Sequence, residues 1–294
     1  MIYIKKIGKL LKVALKEWWA KDPFKESAVI AYYAIFSMPG LLVVIITIAG
    51  YFFGADAVNN NLASQISSTM GEDTAVQVQE MIKIASESKN SFWATIIGVI
   101  TILVGATGVF AQFQKSLNII WGVKADKNKS GIWSIIKVRL FSFGLIVAIA
   151  FILMVSLIVT SVLIALGDWL SSHFSESLLI IIQIINLILS SLIIAFLFAI
   201  MFKFFPDSKV KWRHVWLGSI VTALLFLMGM NGLSLYFGKA EPGSGYGAAG
   251  SIILILLWVS YSTMIVFYGA EFTHAYAIEQ DGYVAPDKNA VIQK

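Results

Sequence analysis

The residues able to do chemistry in this chain are few, and most are neutral amides. Gln114 and Asn118 stand four apart in the run Phe110-Ala111-Gln112-Phe113-Gln114-Lys115-Ser116-Leu117-Asn118, so a helix puts both on one face, with Ala111 above and Trp121 below. That face either hydrogen-bonds a neighbouring helix or lines a polar cavity. Gln183 with Asn186, and Asn231 between Gly229 and Gly232, pose the same choice deeper in apolar sequence, where joining helices is the ordinary role of an amide. Glu271 follows Tyr268-Gly269-Ala270 at the end of an apolar stretch. A carboxylate there either pairs with Arg139 or Arg213 or stays alone and exchanges protons.

Catalytic constellations are missing from the sequence. His173, His214 and His274 show no HExxH-like spacing with carboxylates, and there is no cysteine to act as nucleophile or metal ligand. Gly243-Ser244-Gly245 lacks the flanks of a nucleophile elbow, and Asp56 and Asp168 belong to no aspartyl-pair motif. The expectation is a protein that is not an enzyme and needs no cofactor or metal.

What must position these residues is legible from charge placement. The 294 residues are 58% hydrophobic and only 13% charged. Asp, Glu, Lys and Arg are absent from windows 27–55, 90–114, 140–167, 177–202, 214–238 and 242–270. Each exceeds the ~20 residues that cross a bilayer as a helix. The reading is an all-α polytopic membrane protein with spans near 28–53, 92–114, 140–166, 178–202, 214–238 and 248–271, in one membrane domain over 27–276. The first window is too long for a signal-peptide core, so it reads as an uncleaved span.

Of the 22 Lys and Arg, nineteen fall in 1–26, 115–139, 203–213 and 271–294, against three in the alternate segments. The positive-inside rule then puts both termini in the cytoplasm, with a cytoplasmic tail over 277–294. This bias accounts for the net charge of +5 without nucleic acid as a partner. Within 1–26, Ile4, Ile7, Leu11, Ala14 and Trp18 share one helical face while Lys5, Lys9, Lys12 and Lys16 take the other. That pattern predicts an amphipathic interfacial helix anchored by Trp18 and Trp19. Segment 54–91, with five carboxylates among loosely spaced apolar residues, predicts a small helical cap outside the membrane. No linker rich in Pro, Ser or Gly divides the chain. Pro242-Gly243-Ser244-Gly245-Tyr246-Gly247 reads as a flexible re-entry into the last span.

Four stretches carry a family resemblance. They are Ala31-Tyr32-Tyr33-Ala34-Ile35-Phe36-Ser37-Met38-Pro39, the Phe113–Val123 run around Leu117-Asn118-Ile119-Ile120-Trp121, Phe205-Pro206-Asp207 through Trp212-Arg213, and Tyr246-Gly247-Ala248 through Trp258 to Gly269-Ala270-Glu271. Together, across about 28–276, they resemble the YihY/BrkB family of bacterial inner-membrane proteins. One departure is Ser37-Met38-Pro39-Gly40, where proline lies one residue closer to serine than in the commonest family form. The resemblance implies six spans with both termini inside, in the bacterial inner membrane. It also brings the label ribonuclease BN, a virulence label, and a suggested role in moving envelope lipid.

Three functional readings follow. The first is a transporter or envelope-lipid handler, its partly polar cavity lined by Gln114, Asn118, Asn231 and Glu271. Arg139, Lys203, Lys211 and Arg213 would meet anionic headgroups of membrane lipids, although topology alone explains those cations. The second is a scaffold docking an envelope partner through 54–91. The third is a ribonuclease, for which these residues offer no centre.

Overall fold

The computed structural model describes residues 2–87, 108–126, 176–288 and 290–293. The expected third span with Arg139, most of the second span, Asp168 and His173 lie outside the described residues. The rest is helical apart from one short strand pair. Its helices are α1 (Ile2–Ala20), α2 (Pro23–Phe53), α3 (Ala55–Met70), α4 (Glu72–Glu87), α5 (residues 108–120), α6 (Glu176–Phe204), α7 (Trp212–Ala240) and α8 (Gly250–Asp281). A 3-10 turn, Ser244–Ala249, leads into α8.

Among the described residues α6, α7 and α8 contain stretches long and apolar enough to cross a membrane. Leu187, Leu224 and Met228 stay exposed on them. Apolar side chains on the outside of apolar helices suit a hydrocarbon solvent rather than water. At about 1.5 Å per residue the 32 residues of α8 exceed a ~30 Å hydrocarbon core, so one end of that helix projects beyond it.

Contact between α7 and α8 is set by two glycine–threonine pairs. A Cβ on Gly218 would lie 1.8 Å from Thr273 Oγ1, and one on Gly269 would lie 1.9 Å from Thr222 Oγ1. Each threonine hydroxyl also donates to the glycine carbonyl four residues back in its own helix, at 2.7 Å. The backbones can therefore approach closely while both hydroxyls remain satisfied, the usual solution for helices in lipid. Farther along the seam, Gly229 accepts Tyr261 and Ile265 in the same way.

The expected amphipathic helix is α1, but its buried stripe is turned from the one read in the sequence. Leu10 and Ala14 are buried against Phe272, with Leu11, Tyr268 and Tyr276 around them, whereas Ile7 is exposed. Trp18 Nε1 donates to the Met264 carbonyl at 3.1 Å, and Tyr268 Oη donates to the Leu11 carbonyl at 3.1 Å. The helix spends its narrow apolar face on a protein neighbour. That leaves Leu15 and Trp19 outward. After α1, Asp22 takes φ +50° and Pro23 opens α2, making an elbow at Lys21–Pro23. Within α2, Pro39 denies the Ile35 carbonyl its helical donor.

At the other end of the bundle, α3 and α4 fold down onto the spans. Val78 and Ile82 of α4 pack with Ile255 of α8 and with Ile35, Met38 and Leu42 of α2. Gly54 (φ +86°) and Gly71 (φ +93°) make the two breaks, a region of backbone space that favours glycine.

The C-terminal segment, read from the sequence as a tail, adds a short strand pair to the mostly helical chain. Strand β2 (Ala290–Ile292) pairs antiparallel with β1 (Val123–Ala125), and Gln293 N donates to the Gly122 carbonyl at 2.9 Å. Upstream, Lys209 N donates to Ala285 O and Asp287 N to Asp207 O. Three-residue strands give almost no periodicity, so the pairing is set by where α5 and α8 end.

Filling either glycine with a β-branched side chain should wedge α7 from α8. Gly218→Val and Gly269→Val are each expected to cost at least the ~1–3 kcal/mol of core overpacking, seen as a lower melting temperature in detergent. Gly232→Ala is the control, because nothing lies within 4 Å of its Cβ position. A melting temperature unchanged in the valine variants would refute the close crossing.

Candidate functional site

The basic end of the bundle gathers most of the polar side chains named from the sequence, and α5 carries two sets of them on opposite faces. Gln114 and Asn118 share one face. Asn118 Nδ2 donates to Asp207 Oδ2 at 2.7 Å, Gln114 Nε2 donates to Asp207 Oδ1 at 3.1 Å, and the Asp207 N–H donates back to Asn118 Oδ1 at 2.8 Å. This ring clamps α5 to the turn between α6 and α7, where Pro206 is buried. On the opposite face Gln112 Nε2 and Ser116 Oγ each donate to Glu26 Oε2 at 2.6 Å, tying α5 to α2.

Glu271 meets a different partner from those expected. Lys21, from the α1–α2 elbow, brings Nζ to 2.7 Å from Glu271 Oε1. The same ammonium donates to the Ile120 carbonyl at 3.3 Å, at the end of α5 where helix carbonyls lack intrahelical donors. Arg213 cannot serve, since it pairs with Asp281, about 15 Å farther along α8 at 1.5 Å per residue. Glu271 is 1% exposed, and beyond the Lys21 ion pair at Oε1 neither of its oxygens accepts a hydrogen bond among the described residues. A buried carboxylate holding one cation and one unused oxygen is an incompletely satisfied site, which native interiors seldom contain. Nearby Trp121 is buried edge-on to His274, with ring centroids 5.1 Å apart.

Two clefts flank this pair. One is lined by Trp18, Lys21, Glu26, Ser116, Phe267 and Glu271. The other is a groove of ≈ 270 Å³ between α1 and the C-terminal half of α8, with Lys6, Lys9, Leu10, Val13 and Glu17 on one wall. Glu271, His274, Ile278 and Glu279 form its second wall. Glu271 borders both clefts.

Of the four cations assigned to headgroups, the three among the described residues, Lys203, Lys211 and Arg213, have internal partners. Lys211 Nζ lies 2.9 Å from Asp281 Oδ2, and Arg213 pairs with Asp281 Oδ1 while its Nε donates to His214 Nε2 at 3.0 Å. Lys203 Nζ donates to the Val210 carbonyl at 2.5 Å and sits 5.8 Å from the Trp212 ring centre. Asn231 is not brought to this group. It is exposed on α7 and donates to its own helix at Leu227 O, 2.7 Å away.

Motif residues are mostly structural in placement. Tyr33 lies where a Cβ on Gly108 would be, and Tyr32 is exposed with its ring edge-on to Tyr33 and Phe36. Tyr246 is exposed in the turn before α8, where Gly247 takes φ +53°. Side chains of Gln183 and Asn186 lie outside the described residues. Among the described residues no three His, Asp or Glu converge as metal ligands would.

Sequence reasoning passed over Lys21, Glu26 and Asp207. One signal was available for the last two: α5 alternates polar residues on both faces, at 112/116 and 114/118, so it needed acceptors on two sides.

A family profile described as Virulence factor BrkB matches residues 14–292. A UPF0761 membrane protein of Saccharophagus degradans is 25% identical over 279 residues, covering 92% of this chain and 60% of that protein. A UPF0761 membrane protein of Pseudoalteromonas atlantica is 24% identical over 250 residues, 83% of this chain and 78% of the relative. One from Vibrio vulnificus is 26% identical over 255 residues, 84% and 75% respectively. The chain thus spans under two thirds of the first of these and about three quarters of the others. No solved structure matches.

Removing the ammonium should hurt more than removing the pair. Lys21→Met strands a buried carboxylate and is expected to cost about 3–5 kcal/mol, while Lys21→Met with Glu271→Met recovers most of it. Thermal unfolding of both variants and of Glu271→Met completes the cycle. Additive losses in the double variant would sink the pairing.

Proposed function

This chain belongs to the BrkB virulence-factor family, and from that premise we propose that it handles envelope lipids at the cytoplasmic leaflet of a bacterial inner membrane. It is an integral membrane protein of that family. The observation that carries the proposal is the groove between α1 and α8. One of its walls is an amphipathic helix whose Lys9, Lys12 and Lys16 are exposed beside an outward apolar ridge of Ile7, Leu15 and Trp19. Such a helix lies at the headgroup level, its lysines toward phosphates and its ridge in the acyl boundary. The groove therefore opens where headgroups are, and Glu271, buried and paired with Lys21, gives it a polar lining.

In this reading both termini are cytoplasmic and six spans cross the membrane. The Asp207 ring and the strand pair act as braces that hold the inner end together, while the groove is the part that works. A scaffold role has its own support in Val76 and Ile84, exposed on α4 at the opposite end, where an envelope partner would bind. No residue set supports the ribonuclease label, which assay of purified protein against RNA would test.

Reconstitution tests the main reading. Vesicles containing the protein should move labelled phospholipid between leaflets faster than empty vesicles, with Glu271→Gln slower by roughly tenfold, one such factor per ~1.4 kcal/mol of barrier. A parent protein no faster than empty vesicles rules lipid movement out. Tags on both termini should report the same side, and opposite sides would overturn the orientation.

A further inference from the structure

We propose that the α1–α8 groove binds a phosphoethanolamine-type headgroup, a phosphodiester joined to a primary ammonium; this deepens the lipid-handling reading and rests on it. The charges in the groove are sorted for a zwitterion. Toward the start of α1 the wall carries Lys6 and Lys9, and farther along the groove lie Glu17 on α1 and Glu271 on α8. Lys6 is held 3.5 Å from Glu279, whereas Lys9 and Glu17 have no ion-pair partner among the described residues. Lys9 is thus free to meet a phosphate and Glu17 to meet a cation.

The second observation is Glu271 itself. Lys21 occupies Oε1, and Oε2, buried and without a donor, belongs to a side chain that lines the groove. An N–H donor is the ligand that oxygen lacks. A quaternary ammonium has no N–H to give, and a glycerol headgroup carries no cation, so a primary ammonium fits both Glu271 and Glu17. Leu10, Val13 and Ile278 supply apolar surface along the same groove for the glycerol and upper acyl region. Along α8, Glu271 and Glu279 are eight residues or about 12 Å apart, and Lys9 and Glu17 line the same groove between them and α1.

The test uses the full chain in nanodiscs of phosphatidylglycerol with equal phosphatidylethanolamine and phosphatidylcholine, and native mass spectrometry of retained lipid. The parent should keep phosphatidylethanolamine over phosphatidylcholine by about tenfold, the worth of one charge-assisted hydrogen bond. Glu271→Gln should bring the ratio near parity. Should that variant fail to fold, Glu17→Gln, at an exposed position, should lower the same ratio. Lys9→Gln should reduce retention of both lipids and leave their ratio unchanged. Water-soluble glycerophosphoethanolamine separates the sources: displacement of the lipid by it makes the free headgroup a sufficient ligand, and lipid preference without displacement makes the whole lipid the ligand. Parity in the parent together with no displacement overturns the site, as does a preference untouched in both Glu271→Gln and Glu17→Gln. Lipid movement that persists without ethanolamine preference removes only this inference, whereas its absence from reconstituted vesicles removes the reading beneath it.

Discussion

The close crossing of α7 and α8 is the constraint on which the rest depends. Hydrocarbon offers no hydrophobic drive to hold two apolar helices together, so contact has to come from shape and from satisfied polar groups. Gly218 opposite Thr273, and Gly269 opposite Thr222, supply both. The threonine hydroxyls bond back within their own helices, so neither helix needs the other for its hydrogen bonds and the seam is free to be purely steric. Its position fixes the azimuth of α8. With Gly269 and Thr273 turned to α7, Tyr268 and Phe272 face α1, and Phe267 joins the core around Phe113. Glu271 follows from the same rotation.

Lys21 shows what that rotation makes possible. An ammonium on a flexible stem at an elbow can meet both a carboxylate on α8 and the last-turn carbonyl of α5, ligands a planar guanidinium would struggle to satisfy together. The pair carries a large desolvation cost, so its net contribution to stability is small even though breaking it is expensive. What it does secure is registry, since α1, α2, α5 and α8 all meet at one point. The Asp207 ring does the same job for the α6–α7 turn with a different economy: all three of its polar partners are matched within it.

Much of this was written in the sequence, and the remainder was absent for definable reasons. Charge-free windows marked α2, α6, α7 and α8 because length and hydropathy act locally. Asn118 and Gln114 were visible as a polar face, yet their acceptor lies 89 residues from Asn118, a separation no local period encodes. Arg213 looked like the natural partner of Glu271 on charge and topology, and geometry assigned Lys21 because α8 carries Asp281 nearly three turns farther out, opposite Arg213. The α1 stripe was misplaced by part of a turn, since its apolar residues are divided between a face docked on α8 and an exposed flank. The G-xxx-T spacing in both α7 and α8 was present and went unread, as small residues leave no mark on a hydropathy scan.

The double duty of α1 is what makes a groove out of a bundle. A helix that merely floated at the interface would bury its apolar face in lipid and present lysines to water, leaving nothing enclosed. Docking Leu10 and Ala14 on Phe272 instead turns that helix on edge, so one flank with Leu15 and Trp19 faces outward and the opposite flank with Lys9 and Glu17 closes over the C-terminal half of α8. The groove is then as fixed as the α7–α8 seam that orients α8, and its other wall is a surface helix held by the Leu10–Ala14–Phe272 contact, two side chain to backbone hydrogen bonds and the Lys6–Glu279 and Lys21–Glu271 ion pairs. Every one of those contacts is made to α8, so the flank that carries Leu15 and Trp19 stays exposed while the flank that carries Lys9 and Glu17 lines the groove.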